Sequence, residues 1–436
     1  FFPILLGTFF QQLYNTIDSV IVGQFVGKEA LAAVGGSSAQ IVAFVVGFFT
    51  GLSSGASVTI AQFFGAKDSR SANKGLHTAY AIAAFGGLIL TVSGIILTPF
   101  LLEMMNTPAD IVADSAVYLR IYFAGIIFVL IYNMGSAILR ATGDSKRPLY
   151  YLIVCCIINI VLDVLFVIVF HMGVMGVAVA TLIAQAVSAV LVTLKLMRSE
   201  GILKLSVKQI RFHGSILKMQ LKLGLPTGFE AILFSITNIA IQSAVNTFGT
   251  DTTAAWSAYG KLDAIFWMVS TAFGIAITTF VGQNYGAGKM DRVRKSTRVC
   301  LLMDFIVSAV LVVFLIAARF LLFRLFTNDS HVIEIGCDML VLITPWYIVY
   351  VFIEVIAGAL RGVGNVVVPV VITLLGVCVL RIAWLAAMLK ISPTISAIIL
   401  SYPVTWVITA LAFIIYYIYI THKTIAGSSK KHVPKL

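Results

Sequence analysis

The sequence predicts an all-α membrane protein, with twelve transmembrane helices in two pseudo-symmetric six-helix lobes around a central cleft. Composition is the first observation behind this. Of 436 residues, 60% are apolar and only 11% charged, and the mean hydropathy is +1.02. A soluble domain cannot keep that much apolar surface from water. The second observation is an internal duplication. Gln62, Gly65 and Ala66 recur as Gln283, Gly286 and Ala287, and Arg140, Gly143, Asp144 and Pro148 recur as Arg361, Gly364, Asn365 and Pro369, all displaced by 221 residues. With a slip of one or two residues the register extends back to Pro3/Pro226, Gly27/Gly249 and Ala32-Ala33/Ala254-Ala255. The third is that Lys and Arg gather in alternate loops.

Apolar stretches of about 20 residues, each able to cross a hydrocarbon core of roughly 30 Å, fall near 1–24, 38–62, 76–98, 116–138, 149–170 and 173–196 in the first copy. The second copy supplies 224–247, 258–281, 298–322, 339–360, 366–388 and 396–420. The expected organisation is a first lobe over 1–196, a polar connector over 197–222, a second lobe over 223–420 and a cytoplasmic tail over 421–436. Six spans per copy is an even number, so both copies enter the membrane from one side. Their symmetry axis then runs along the membrane normal with a cleft between halves, the architecture of transporters that rock one half against the other. The chain begins at Phe1 inside an apolar run, without Met, so further residues are expected upstream.

The net charge of +12 is a topology signal. Lys67, Arg70 and Lys74, then Arg140, Lys146 and Arg147, then the run from Lys195 to Lys222, then Lys289 to Arg298, Arg361 and the Lys-rich tail share one side. The opposite loops hold Lys28, Lys261, Arg324 and Lys390. Positive-inside bias puts both termini in the cytoplasm, and nucleic acid is not an expected partner. The five cysteines show neither a disulfide framework nor metal-ligand spacing. Gly51-Leu52-Ser53-Ser54-Gly55 formally matches a serine-hydrolase elbow. That motif needs a strand-to-helix turn and triad partners, whereas here it sits in an apolar helix, and the six histidines fall in loops or near span ends. Gly47, Gly51 and Gly55, at four-residue spacing, instead make a small face for close helix packing. An enzyme is not expected.

Of eighteen acidic residues, five lie well inside predicted spans: Asp18, Asp163, Glu230, Asp304 and Glu354. Each costs on the order of 3 kcal/mol at a helix centre, so each needs a reason to be there. Asp304 follows Arg298 by six residues and is expected to reach water or a basic neighbour as a structural group. At 1.5 Å rise per residue, Asp18 in span one, Asp163 in span five and Thr181 in span six fall at similar depth in the outer half. Asn159, four residues before Asp163, shares its face. Two carboxylates, an amide and a hydroxyl converging there suit either Na⁺, which takes oxygen ligands, or a proton shared between like charges. The alternative is a polar but inert core that pins helices. Glu230 and Glu354 fall in the inner half of the second lobe, as substrate contacts or scaffold, with Arg381 as the candidate to neutralise a carboxylate. Phe10, Tyr14, Tyr122, Met134, Phe234, Trp267, Met268 and Trp346 are candidates to line the cleft, where Met and aromatic surfaces suit hydrophobic cations.

With these residues in view, the chain resembles the multidrug and toxic compound extrusion (MATE) family over essentially its whole length. The motifs that carry the resemblance are Tyr14-Asn15-Thr16-Ile17-Asp18, Ala61-Gln62-Phe63-Phe64-Gly65-Ala66, Leu139-Arg140-Ala141-Thr142-Gly143-Asp144, Asn159-Ile160-Val161-Leu162-Asp163, Gly282-Gln283-Asn284-Tyr285-Gly286-Ala287 and Ala359-Leu360-Arg361-Gly362. The resemblance implies a multi-pass protein of the bacterial cytoplasmic membrane, embedded in membrane lipids and acting as a monomer. It also implies inward H⁺ or Na⁺ exchanged for outward small-molecule organic cations, with no cofactor beyond that coupling ion. By the same resemblance Asp18, Asn159, Asp163 and Thr181 form the cation-coupling site, a possible Na⁺ site. Pro3 marks where the first helix bends, and Glu230, Glu354, Tyr14, Met134 and Met268 are substrate or second-lobe candidates. Glu230 and Glu354 do not keep the spacing from Pro226 and Arg361 found in the NorM-like branch, which favours a first-lobe site. Alternatives are a lipid-linked precursor flippase, disfavoured because the intramembrane charge is mainly acidic, and an exporter of one specific metabolite.

Overall fold

The computed structural model describes residues 1–428, apart from the side chains of 202 and 422–428. All of its regular structure is helical. Among the described residues, eleven helices are both long and apolar enough to cross a membrane. After α1 (Phe2–Phe25) these are α2 (Lys28–Gly65), α3 (Ser69–Met104), α4 (Val112–Ala141), α5 (Lys146–Val169), α6 (Gly173–Met197), α7 (Gly214–Asn246), α8 (Thr250–Gly286), α9 (Met290–Ala317), α10 (Ser330–Gly362), α11 (Val367–Ile391) and α12 (Ile395–Thr421). The predicted first span, α1, has 24 residues, enough to cross, but Gln11, Gln12, Asn15 and Asp18 depress its hydropathy and keep it outside the eleven. The protein is a multi-pass membrane protein.

Helices exceed the predicted spans because polar ends continue the backbone hydrogen-bond ladder beyond the hydrocarbon. The expected connector over 197–222 is accordingly irregular only as far as His213, after which α7 begins at Gly214. The end of α12 continues helical to Ser428, and the rest of the predicted tail, 429–436, lies outside the described residues.

Two compact units follow one another, Phe1–Ala231 and Ile232–Leu436. The division falls within α7. In the first unit α4 is central, packed against α2, α3 and α6, and its Leu119, Phe123, Ile126, Leu130 and Met134 are almost wholly buried. The connector lies on the start of α3. Asn73 Nδ2 donates to the Lys204 carbonyl at 3.1 Å and Leu205 is buried. The Ser206 N–H donates to His77 Nε2 at 3.0 Å, while His77 Nδ1 bonds the Asn73 carbonyl at 2.8 Å. A carbonyl only accepts, so Nδ1 carries the proton and the ring is neutral. His77, near the start of the predicted span 76–98, is thus a buried helix residue. In the second unit α8, α10 and α12 enclose the aromatic core of Phe266, Tyr347, Trp406 and Phe413.

The glycine face of α2 meets a second one. A Cβ on Gly51 would strike the backbone N of Gly228, and one on Gly55 would strike the Gln220 carbonyl oxygen and the Gly224 N. Gly224 and Gly228 are themselves four residues apart on α7, so two small-residue faces let the backbones approach.

The duplication recurs in backbone detail. After α2, Lys67 takes φ 58°, and after α8, Gly288, 221 positions on, takes φ 70°. The same turn is closed by Asp68 N–H to Phe63 O at 3.0 Å in one copy and Lys289 N–H to Asn284 O at 2.8 Å in the other. After α4 and α10, Gly143 and Gly364 have φ 96° and 87°, with Asp144 N–H to Leu139 O at 2.9 Å matched by Asn365 N–H to Leu360 O at 3.0 Å. The repeated Gly, Gln and Arg motifs therefore encode two left-handed helix stops per copy.

Candidate functional site

In the first unit α1 packs on α5, and α5 on α6. Asp18 of α1 thereby faces Asp163 and Asn159 of α5 and Thr181 of α6. Asn159 and Asp163 stand one turn apart on one face, and a π-helical segment, Val164–Val169, begins directly after Asp163. Such wide turns shift the register of a helix locally, so the direction of the Asp163 face is decoupled from the outer end of α5. The four side chains are buried: Asp18 is 7% exposed, Asn159 1%, Asp163 0% and Thr181 6%. Asp18 Oδ1, both Asp163 oxygens, both polar atoms of Asn159 and Thr181 Oγ1 have no well-formed hydrogen bond within the protein.

This is an expensive arrangement. Were both carboxylates ionised, two such charges at about 4 Å would repel by about 4 kcal/mol at an effective dielectric of about 20, and each orphaned buried polar atom costs a further ~1–3 kcal/mol. A positive charge placed among the four groups relieves the repulsion and gives the orphaned oxygens a partner, though not the Asn159 Nδ2 donor. As oxygen donors they fit a hard monovalent cation, which needs no cluster of three His, Cys, Asp or Glu, and no such cluster occurs among the described residues. They equally fit one proton held between the two acids.

Tyr14, one turn before Asp18, accepts a hydrogen bond from Gln185 Nε2 at 3.2 Å. Gln185 lies one turn past Thr181 and Ser188 donates to its carbonyl at 2.8 Å, so α1 and α6 are tied beside the acids. Tyr118 of α4 also lies close to Asp18 and Asp163 and stacks on Tyr122 with centroids 6.2 Å apart. Sequence reasoning missed Gln185 and Tyr118. The four-residue step from Thr181 to Gln185 was a usable signal, whereas for Tyr118 nothing distinguished an interfacial aromatic from a site residue. Met134 is 1% exposed and packs in the core of the first unit. Pro3 sits in the first turn of α1, where a missing N–H breaks no helical bond. Glu230 is buried on α7.

In the second unit Glu354 pairs with Arg361 at 2.9 Å, seven residues on along α10. Arg381, expected to neutralise a carboxylate, is not the partner of Glu354 but lies close to Asp263 of α8. Its guanidinium lies 4.0 Å from the Tyr402 ring centroid and donates to Thr405 Oγ1 at 2.9 Å, because the depth of α11 at Arg381 matches the aromatic layer. Asp304 reaches neither water nor a basic group. It is 0% exposed, Ser308 donates to its Oδ1 at 3.2 Å, and Oδ2 has no partner. Met268 is half-buried on α8.

The main polar centre of this unit is one the sequence reading left out. Asp263 accepts from Tyr347 OH at 2.5 Å, from Tyr259 OH at 3.2 Å and from Trp267 Nε1 at 2.7 Å. The Tyr259 and Tyr347 hydroxyls also lie 2.9 Å apart, so with the Tyr347 proton on Asp263 the single Tyr259 proton is shared between Asp263 and the Tyr347 oxygen. Asp263 is near the edge of the apolar stretch 258–281, but α8 begins at Thr250, which places it more than three turns into the helix.

Comparison with known proteins bears on both units. The model of the MatE family matches residues 3–165 and 226–385, one segment in each copy of the duplication. The protein named "Probable multidrug resistance protein YoeA" of Bacillus subtilis is 30% identical over 383 residues, covering 86% of this chain and 82% of that one. The multidrug export protein MepA of Staphylococcus saprophyticus is 21% identical, covering 78% of this chain and 74% of that one. Among solved structures, the outward-facing conformation of a multidrug resistance MATE family transporter of the MOP superfamily superposes with a TM-score of 0.90 at 21% identity, covering 99% of this chain and 95% of that one. A MOP superfamily transporter from Pyrococcus furiosus gives 0.91 at 20% identity with the same coverage. These two show the fold. With both halves matched by one family model, the chain belongs to the MatE family, whose members are transporters rather than enzymes.

Proposed function

We propose that the chain is a secondary active efflux antiporter, exchanging inward H⁺ or Na⁺ for outward organic, mostly cationic amphipathic compounds by alternating access, with both termini in the cytoplasm of a bacterium. The substrate class is supported by relatives named for multidrug resistance and export. The observation that carries the coupling role is the convergence of Asp18, Asn159, Asp163 and Thr181 in a buried group most of whose oxygens lack a well-formed hydrogen bond among the described residues. A cation or proton arriving there stabilises the conformation in which the four groups are together. Its departure leaves like charges in contact and favours another arrangement, which is the differential affinity that alternating access requires.

Moving one charge through 100 mV is worth about 2.3 kcal/mol. One-for-one exchange of monovalent cations moves no net charge, so only the ion gradient drives it. Export that also responds to membrane potential requires more than one coupling ion per monovalent substrate. The test is efflux of a fluorescent organic cation from proteoliposomes, imposing a Na⁺ gradient and a pH gradient separately. Export driven by one of them identifies the ion. Folded protein that exports none of several cations under either gradient overturns the antiport reading.

A further inference from the structure

The link between α9 and α10 folds into a short helix, Arg319–Arg324. A cavity of about 890 Å³ opens beside it, walled also by α10 and the start of α12. Four charged residues line it: Arg319 and Arg324 from the short helix, Glu334 and Asp338 from successive turns of α10. The ion pairs found among the described residues all lie elsewhere, so two cations and two anions border one cavity without closing on one another. Arg319 is held in place, donating to the Ile316 carbonyl at 2.7 Å and lying 4.7 Å from the Phe320 ring centroid, which leaves its other N–H groups free to bind. Ile333 and Ile399 supply apolar wall.

The rim of the cavity belongs in lipid. Phe320, which lines the cavity, and its chain neighbours Leu321, Leu325 and Phe326 are 52%, 67%, 72% and 49% exposed, at the end of a membrane span. Large apolar side chains there sit at the boundary of headgroups and acyl chains, with arginines reaching into the headgroup layer. The volume is within the range of small-ligand sites.

We propose that this cavity binds the headgroup of a zwitterionic phospholipid, its phosphate on Arg319 and Arg324 and its ammonium on Glu334 and Asp338, with the acyl chains along the exposed apolar rim. Arginine presents paired N–H donors that match phosphate, and the carboxylates supply the opposite charge for a primary ammonium. An anionic lipid would leave two carboxylates facing it, and a simple cation would face two guanidinium groups. A zwitterion alone satisfies both pairs.

The test is lipid retention by the purified protein, read by native mass spectrometry after equilibration with equal amounts of dioleoyl phosphatidylethanolamine and dioleoyl phosphatidylglycerol. The expected result is preferential retention of phosphatidylethanolamine by wild type, reduced about tenfold in Arg319→Gln/Arg324→Gln and in Glu334→Gln/Asp338→Asn. Ser396→Trp, which fills the cavity from an exposed position without removing charge, is expected to reduce it as well. Monodisperse elution and an unchanged Tm confirm that each variant is folded. Equal retention of the two lipids by wild type, or an intact preference in the charge variants, overturns the proposal. So does water-soluble glycerophosphoethanolamine displacing the lipid at equal concentration, because the occupant is then a free zwitterion rather than a membrane lipid.

Discussion

Adding one methyl group to the α2 face should have opposite effects at positions eight residues apart. A Cβ at Gly47 meets only Ala231 Cβ at 3.4 Å, an ordinary contact, whereas a Cβ at Gly55 meets the Gln220 carbonyl oxygen, the Gly224 N and, at 2.7 Å, the Gly224 Cα. These are backbone atoms of α7 and no side-chain rotation relieves them. In return, a Cβ on Gly224 would lie 2.8 Å from the Leu52 carbonyl oxygen, so neither helix yields without the other. Replacing Gly by Ala inside a helix is worth about 1 kcal/mol in helix propensity. Gly47→Ala keeps this gain. Gly55→Ala sets it against an overpacking cost of about 1–3 kcal/mol, towards the upper end because the helices themselves must separate. The two variants should therefore differ by about 2–3 kcal/mol, with Gly47→Ala at or above wild type. Equilibrium unfolding of the purified protein in mixed micelles of rising dodecyl sulfate fraction measures this. Equal stability of the two variants refutes the close backbone approach.

Tyr347→Phe removes one of three donors to Asp263 and should destabilise by about 1.5–3 kcal/mol, the range for hydrogen bonds to charged groups. The same unfolding assay reads it, and an unchanged midpoint contradicts the network. Arg361→Gln leaves Glu354, whose side chain is 20% exposed, without its partner, and should cost about 2–3 kcal/mol. Adding Glu354→Gln should recover most of that, and a double-mutant cycle without coupling contradicts it. His213, just before α7, hydrogen-bonds Thr78, and burial, helped by the neighbouring cations Arg211 and Lys74, holds its pKa below the ordinary histidine value. A folded-state pKa that is lowered disfavours the charged form, so the contribution is complete above the ordinary value of about 6.5 and is lost as pH falls from there through the lowered folded-state value. Hydrogen exchange in residues 201–213 should accelerate between pH 7.5 and 5.5 more in wild type than in His213→Asn, after correction for intrinsic rates. Identical pH dependence contradicts the assignment.

Much of the fold was legible because membrane burial writes itself in hydropathy and duplication writes itself in repeated turn residues. Gly143 and Gly364 recur because a left-handed helix stop favours glycine, although Lys67 takes the same conformation as Gly288. The first-unit site was legible for a different reason. Acids inside apolar helices are costly enough to stand out singly, and helical rise alone gives their depth. Asp263 stayed hidden since the hydropathy window ends where polar residues begin, while the helix continues to Thr250. Spacing shows which residues share a face, as with Asn159 and Asp163, but not what a face meets. Hence the partner of the α2 glycines on α7, the pairing of Glu354 with Arg361 and the carboxylate nearest Arg381 required the structure.

Ion flux coupled to substrate export tests the coupling role of the first-unit site most directly. Proteoliposomes holding wild type, Asp18→Asn or Asp163→Asn receive an organic cation gradient, and the opposing movement of H⁺ and of Na⁺ is recorded as substrate crosses. The account predicts that wild type moves one of these ions in fixed ratio to substrate. Both Asn variants, folded and still able to bind substrate, should lose that movement and their ion-driven export together. Asn variants that export at the wild-type rate with the same ion in the same ratio would contradict it.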